Sequence, residues 1–157
     1  MFTKSIESLN APKAIGPYSP ALKLGDFVYL SGMIPVDPKT NEVVADDIVV
    51  QTTQVMENIK NLLAEMDLSF RHIVKTTVFV TDLNEFTKMN EVYASYFEEP
   101  YPARSCVEVK ALPKNVKVEI ECTVIDTLAY EQMQSGCGDS CSDGCCSDSG
   151  CSDGCCG

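Results

Sequence analysis

Apolar residues along the first 126 positions change period several times, and each change marks an element. Phe27-Val28-Tyr29-Leu30-Ser31 is aromatic and β-rich, and Gly25-Asp26 before it reads as a turn. Pro35, Asp37, Pro38 and Asn41 then mark a loop. Between Asp47 and Asp67, Ile48, Val55, Ile59, Leu62, Leu63 and Met66 recur at helical spacing, with Asp46 or Asp47 as N-cap. Ile73 to Thr81 is rich in Val, Thr and Phe and predicts a strand. Asp82 with Glu85 fits a capping box that opens a second helix through Phe86, Met89, Tyr93 and Phe97. Two more strands, about Ala103–Lys110 and Lys117–Asp126, flank a turn at Pro113. The order β-β-α-β-α-β-β predicts an α+β domain in which two helices cover one face of a mixed sheet.

Strand alternation divides the side chains between two faces. Val107 and Val109 oppose Arg104, Cys106 and Glu108; Val118, Ile120, Cys122 and Val124 oppose Glu119, Glu121 and Thr123. The apolar sets suit the helix-covered core, which would also hold Cys122. Bulky residues nonetheless fall on both faces of Phe27–Ser31 and of Val74–Thr81, and such a sheet is usually covered on both sides. With two helices available, a second subunit is the natural cover, so an oligomer is expected.

Composition changes the picture mainly at the C-terminus. Seven of nine cysteines, Cys137, Cys141, Cys145, Cys146, Cys151, Cys155 and Cys156, crowd the last stretch of 157 residues, and Cys-Ser-Asp-Gly-Cys-Cys occurs twice. A Gly/Ser/Asp/Cys segment buries no core, so residues 131–157 read as a disordered tail on a domain spanning 1–130. Its thiols suit a thiophilic metal such as zinc or copper(I), although the spacing is not the paired Cys-x2-Cys of zinc knuckles. A redox-active tail and a solvated appendage are the alternatives. No export signal or apolar run of membrane-spanning length is present, which favours a cytoplasmic, membrane-free protein with reduced cysteines. The chain carries 23 acidic against 12 basic residues, a net charge of −11, which disfavours nucleic acid as a partner.

Three segments carry the chemistry: Gly16-Pro17-Tyr18-Ser19-Pro20, Ser31-Gly32-Met33-Ile34-Pro35 and Pro102-Ala103-Arg104-Ser105-Cys106-Val107-Glu108-Val109. With Lys75-Thr76-Thr77-Val78-Phe79-Val80, Leu112-Pro113 and Val118-Glu119-Ile120-Glu121, they resemble the reactive-intermediate deaminase family (RidA, also called YjgF) from Ile15 to about Ile125. The resemblance implies a chorismate-mutase-like fold assembled as a homotrimer with clefts between subunits. It also implies hydrolysis of 2-imino acids, tautomers of 2-aminoacrylate- or 2-aminocrotonate-type enamines, to 2-keto acids and ammonia, with no cofactor. A non-catalytic binder of 2-keto acids or related metabolites on the same scaffold is the rival reading.

The residue types suit that chemistry. A guanidinium fork takes a carboxylate with two parallel hydrogen bonds, the role of Arg104. Glu119 matches the carboxylate that moves protons to and from water. An arginine nearby would keep Glu119 ionised unless burial outweighs the attraction. Tyr18, Ser31, Gly32, Asn90 and Cys106 match substrate-lining positions, Cys106 without an obligate nucleophilic role. Met33 departs from the glutamine frequent after Ser-Gly. His72, the single histidine, reads as a surface residue rather than a partner for Cys106.

Overall fold

The alternating segment after Gly25 forms a strand because Val28 and Leu30 bury fully while Phe27 and Tyr29 stay about half exposed, the period-2 signature of a sheet with one covered face. In the computed structural model, which describes residues 2–12 and 16–135, this strand, β3 (Phe27–Met33), follows β1 (Thr3–Ile6) and β2 (Ala21–Leu24). Helix α1 (Ile48–Ala64), β4 (Ile73–Val80), α2 (Phe86–Ala94), β5 (Ala103–Glu108) and β6 (Val118–Ile125) complete the sheet and its cover. Contacts divide the chain into a unit Met1–Thr127 and a second from Leu128 onward, of which the helix α3 (Leu128–Ser135) is described. The expected disordered tail is corrected at its start, since residues 131–135 continue α3. The cysteines Cys137, Cys141, Cys145, Cys146, Cys151, Cys155 and Cys156, and with them the expectations of disorder and metal binding, lie outside the described residues.

The six strands lie in the order β1-β2-β3-β6-β4-β5, antiparallel except for the parallel pair β4–β5 that α2 connects. The fold is thus the expected α+β mixed sheet, with both α1 and α2 on one face. Three strands precede α1 where the expected order had two, and of these the pattern located only β3, because β1 and β2, four residues each, carry no clear alternation. Asp47, not Asp46, caps α1, its carboxylate accepting from the amides of Val49 (2.9 Å) and Val50 (3.0 Å). The Asp82 carboxylate caps instead a single 3-10 turn, Leu83–Glu85, accepting from the Asn84 amide at 2.8 Å. No reciprocal capping box forms, since Glu85 takes the Lys117 ammonium at 3.1 Å. Helix α2 ends at Ala94, short of Phe97, which nevertheless buries against Tyr93 and Phe70.

Beneath the helices lie Val28, Leu30, Val78, Val80, Val118, Ile120, Cys122 and Val124, packed against Val55, Ile59, Leu62, Leu63 and Met89. Each such side chain contributes roughly 1.5–3 kcal/mol of burial. Two buried polar residues of α1 fix the backbone that leads to the site. Asn58 donates to the carbonyls of Ile34 (3.3 Å) and Val36 (2.9 Å), and Gln51 accepts from the Lys117 amide at 2.8 Å. Both side chains are buried, and an unpaired amide there costs about 1–3 kcal/mol.

Register corrects the expected faces of β5. Arg104 pairs with Thr76 and Cys106 with Val78, whose buried side chains face the helices, whereas Val107 pairs with Phe79 on the uncovered face. Apolarity misassigned the strand because β5 lies at the sheet edge, where the helix-side positions open onto solvent and admit an arginine. The β6 faces agree with the pattern, and Cys122 is a core residue. His72 is also corrected: it is 4% exposed, its Nδ1 accepting from the Ser69 amide at 3.0 Å in the turn Phe70–His72. No helix among the described residues is long and apolar enough to cross a membrane.

Candidate active site

The site residues expected from the sequence fall into two groups, one on each face of the sheet. Thr76 and Phe79 are three residues apart on β4, so their partners point opposite ways: Arg104 beside Thr76 toward the helices, Glu119 beside Phe79 toward the open face. Strand β4 also separates β5 from β6, so Arg104 and Glu119 do not lie on neighbouring strands although their strands are consecutive in the chain.

The first group is built by β5 and α2. Arg104 Nη1 donates to Asn90 Oδ1 at 2.8 Å, and the guanidinium carbon lies 4.7 Å from the Tyr93 ring centre and 5.6 Å from that of Phe86. Cys106 follows two residues along the same face, partly buried. Burial pushes its thiol upward, against the downward pull of Arg104. The net direction keeps it protonated at neutral pH, a poor state for a nucleophile.

The second group is built by a bulge. From Leu30 to Met33 strand β3 advances three residues while β6 advances two, from Cys122 to Ile120. The extra residue takes Ser31 and Gly32 out of the ladder, a device that commonly re-aims side chains beside functional sites. The Gly16–Pro20 loop docks here: Ser31 Oγ donates to the Ser19 carbonyl at 2.7 Å, and the Ser31 amide to that of Pro20 at 3.0 Å. Glu119 lies directly over Gly32, so close that a Cβ there would stand 1.8 Å from its Oε1. Tyr18, Ser31, Gly32, Ile34, Pro113 and Glu119 line a cleft of about 340 Å³. A narrower recess shares Tyr18, Ser31, Gly32 and Ile34, with Met33, Asn41 and Lys114 on its wall. Burial raises the Glu119 carboxyl above its ordinary range, and the charge of Glu121 adds to the shift. The expected attraction to Arg104 plays no part in the shift, because Arg104 of the same chain points toward the other face.

Sequence reasoning missed Phe86, Tyr93, Pro113, Asn41 and Lys114. Phe86, Asn90 and Tyr93 share one stripe of α2 at helical spacing, but the core pattern through Met89, Tyr93 and Phe97 overlaps that stripe and hid it. Among the described residues no cluster of three or more His, Cys, Asp or Glu is placed to hold a metal ion.

Residues 8–126 match the model of the family described as endoribonuclease L-PSP. The chain belongs to the YjgF/RidA family. A RutC family protein of Pyrococcus horikoshii is 56% identical over 123 residues, covering 78% of this chain and 94% of its own length. The 2-iminobutanoate/2-iminopropanoate deaminase of Salmonella typhimurium is 50% identical over 126 residues, covering 78% of this chain and 98% of its own. Among solved structures, Escherichia coli TdcF with bound serine superposes with a TM-score of 0.74 at 48% identity, over 78% of this chain and 98% of that one. These relatives support imine deamination as a family chemistry, while other members carry less specific names.

Proposed function

We propose that this chain hydrolyses 2-imino acids to 2-keto acids and ammonia, in clefts closed between copies of a homotrimer. The observation that carries the reading is the split itself: a carboxylate-binding fork on one face and a proton-carrying carboxylate on the other. A second copy unites them when its Arg104 edge meets the Glu119 face. That open face offers the cover a reason to bind, since Leu22, Leu24, Phe27 and Tyr29 are each 38–48% exposed on β2 and β3. Adjacent exposed apolar side chains of this kind mark interaction surfaces.

In the proposed cleft Arg104 holds the substrate carboxylate through the donors that Asn90 does not use. Tyr18, Ser31 and Gly32 wall the opposite side. Glu119 takes a proton from water as its oxygen adds to the imine carbon and passes it to nitrogen, giving the carbinolamine. It then carries the hydroxyl proton to nitrogen as the C–N bond breaks, the carbonyl forms and ammonia leaves. A raised carboxyl suits both halves, because a group titrating nearer neutrality accepts and returns a proton with less penalty. The step balances: imino acid and water become keto acid and ammonia, with no redox change and no cofactor. The organisation proposed is a domain of residues 1–130 followed by the cysteine-rich segment 131–157, in the cytoplasm.

Coupling a threonine or serine dehydratase to its substrate and following imine decay tests this. Wild type is expected to speed keto-acid release and Arg104→Ala is not; no acceleration by wild type removes the reading. The rival, a non-catalytic binder of 2-keto acids or related metabolites on the same scaffold, draws on the serine held by TdcF. Tight 2-keto acid binding without imine hydrolysis would favour it. RNA cleavage, the activity in the family model's description, fits poorly with the carboxylates Glu119 and Glu121 on the open face and a net charge of −11.

A further inference from the structure

We infer that Tyr93, with Phe86, is a positioning residue: an aromatic shelf on α2 that fixes the plane of the Arg104 guanidinium for its ligand. The inference rests on the function proposed above for the use made of Arg104, but the shelf is carried by geometry alone. Arg104 lies on an edge strand and is exposed, so an unsupported side chain would sample many rotamers and present its fork in none of them for long. Three contacts from one helix stripe remove that freedom. Asn90 takes Nη1, the Tyr93 ring lies 4.7 Å from the guanidinium carbon, and the Phe86 ring lies 5.6 Å from it. Both distances fall within the roughly 6 Å over which a cation is attracted to a ring face.

The shelf is itself anchored. The Tyr93 hydroxyl shares a 2.8 Å hydrogen bond with Thr76 Oγ1, which is 1% exposed, and the ring packs 4.7 Å from Phe97. Thr76 is also the residue that pairs with Arg104 across the β4–β5 ladder. The backbone that carries the arginine and the ring that supports it are thus tied to the same buried residue, the one through its ladder and the other through its hydroxyl. Burial raises the Tyr93 phenol, which keeps the ring neutral under the cation. Of the five guanidinium N–H donors one is committed to Asn90. The shelf gives the remaining donors the fixed direction that two-point binding of a carboxylate requires.

The test reads the arginine directly and then its ligand, on the full chain. Arginine-selective labelling reports the Arg104 side-chain protons, which a ring beneath them shifts upfield. The expected result is an upfield shift in wild type, kept in Tyr93→Phe and lost in Tyr93→Leu. Phe86→Leu, at a half-exposed position, provides a second variant if Tyr93→Leu folds poorly, and is expected to reduce the shift. Binding of 2-ketobutyrate, measured by calorimetry, should weaken about tenfold in Tyr93→Leu and little in Tyr93→Phe. In an Arg104→Ala background Tyr93→Leu should add no further loss, which a merely structural role would not reproduce. An unshifted Arg104 in wild type, or unchanged 2-ketobutyrate binding in both leucine variants, overturns the inference. If the shift behaves as expected while wild type neither binds 2-ketobutyrate nor speeds imine decay, the proposed function falls and the shelf stands.

Discussion

Gly32→Ala isolates the placement of Glu119 from everything else in the cleft. The glycine does not occupy the left-handed region, so alanine adds a methyl group without backbone strain. The new Cβ would stand 1.8 Å from Glu119 Oε1, 2.8 Å from Cδ and 3.1 Å from Cγ. Reaching an ordinary contact of about 3.5 Å requires the carboxyl oxygen to retreat by more than about 1.5 Å. Glu119 is half-buried on the uncovered face, so it can swing aside, and the substitution should shift Tm by only a few degrees. Catalysis should not be so forgiving. Misplacing a reacting group by about 1 Å costs on the order of 100-fold, or about 2.7 kcal/mol of barrier. The coupled dehydratase assay, with Tm and oligomer size as controls, is expected to show kcat down about 100-fold at nearly unchanged Tm. Gly32→Ala activity within about threefold of wild type would refute the claim that Glu119 works from its place over Gly32.

Further outcomes follow from other parts of the structure. Arg104→Lys keeps the charge but loses the planar fork, and kcat/KM should fall at least about tenfold, carried mostly by KM. Glu119→Gln should abolish turnover and, because the carboxyl is raised in the folded state, should stabilise the protein at neutral pH. The sign follows from linkage: a raised group contributes stability that is present below the unfolded value and lost as pH rises through the folded one, so the Tm advantage of the amide should disappear on acidification. Asp47→Ala removes the cap of α1 and should cost about 1 kcal/mol in denaturant unfolding without changing kcat. Truncation after Gln134 should leave imine hydrolysis intact, checked in the same coupled assay.

How much of this was legible beforehand varies with the physics of each element. The helix α1 and the strands β3, β4 and β6 declared themselves because one face of each is buried, which imposes a period on the sequence. Strands β1 and β2 are too short to show a period, each burying a single residue, Ile6 and Ala21. The alternation on β5 was read correctly, but which side faced the helices was not, because polarity marks the inside only where the inside is closed. At the edge the helix-covered face carries Arg104, and the valine faces outward toward a surface that one chain leaves bare. The capping box failed for a tertiary reason, the pull of Lys117 on Glu85. The proximity of Gly32 and Glu119 depends on a one-residue bulge, which no local pattern announces. The Phe86–Asn90–Tyr93 stripe was visible as spacing, yet only the register of β5 showed what it supports.

The most direct test of the account is complementation between two inactive variants. Arg104→Ala and Glu119→Gln each remove one half of the proposed cleft, and neither alone should accelerate imine decay. Co-expressed and randomly assembled in a closed ring, they restore an intact cleft wherever an Arg104-bearing edge meets a Glu119-bearing face, so about a quarter of wild-type activity should return. No recovery in verified mixed assemblies, or full activity of either variant alone, would contradict a hydrolytic site shared between copies of this chain.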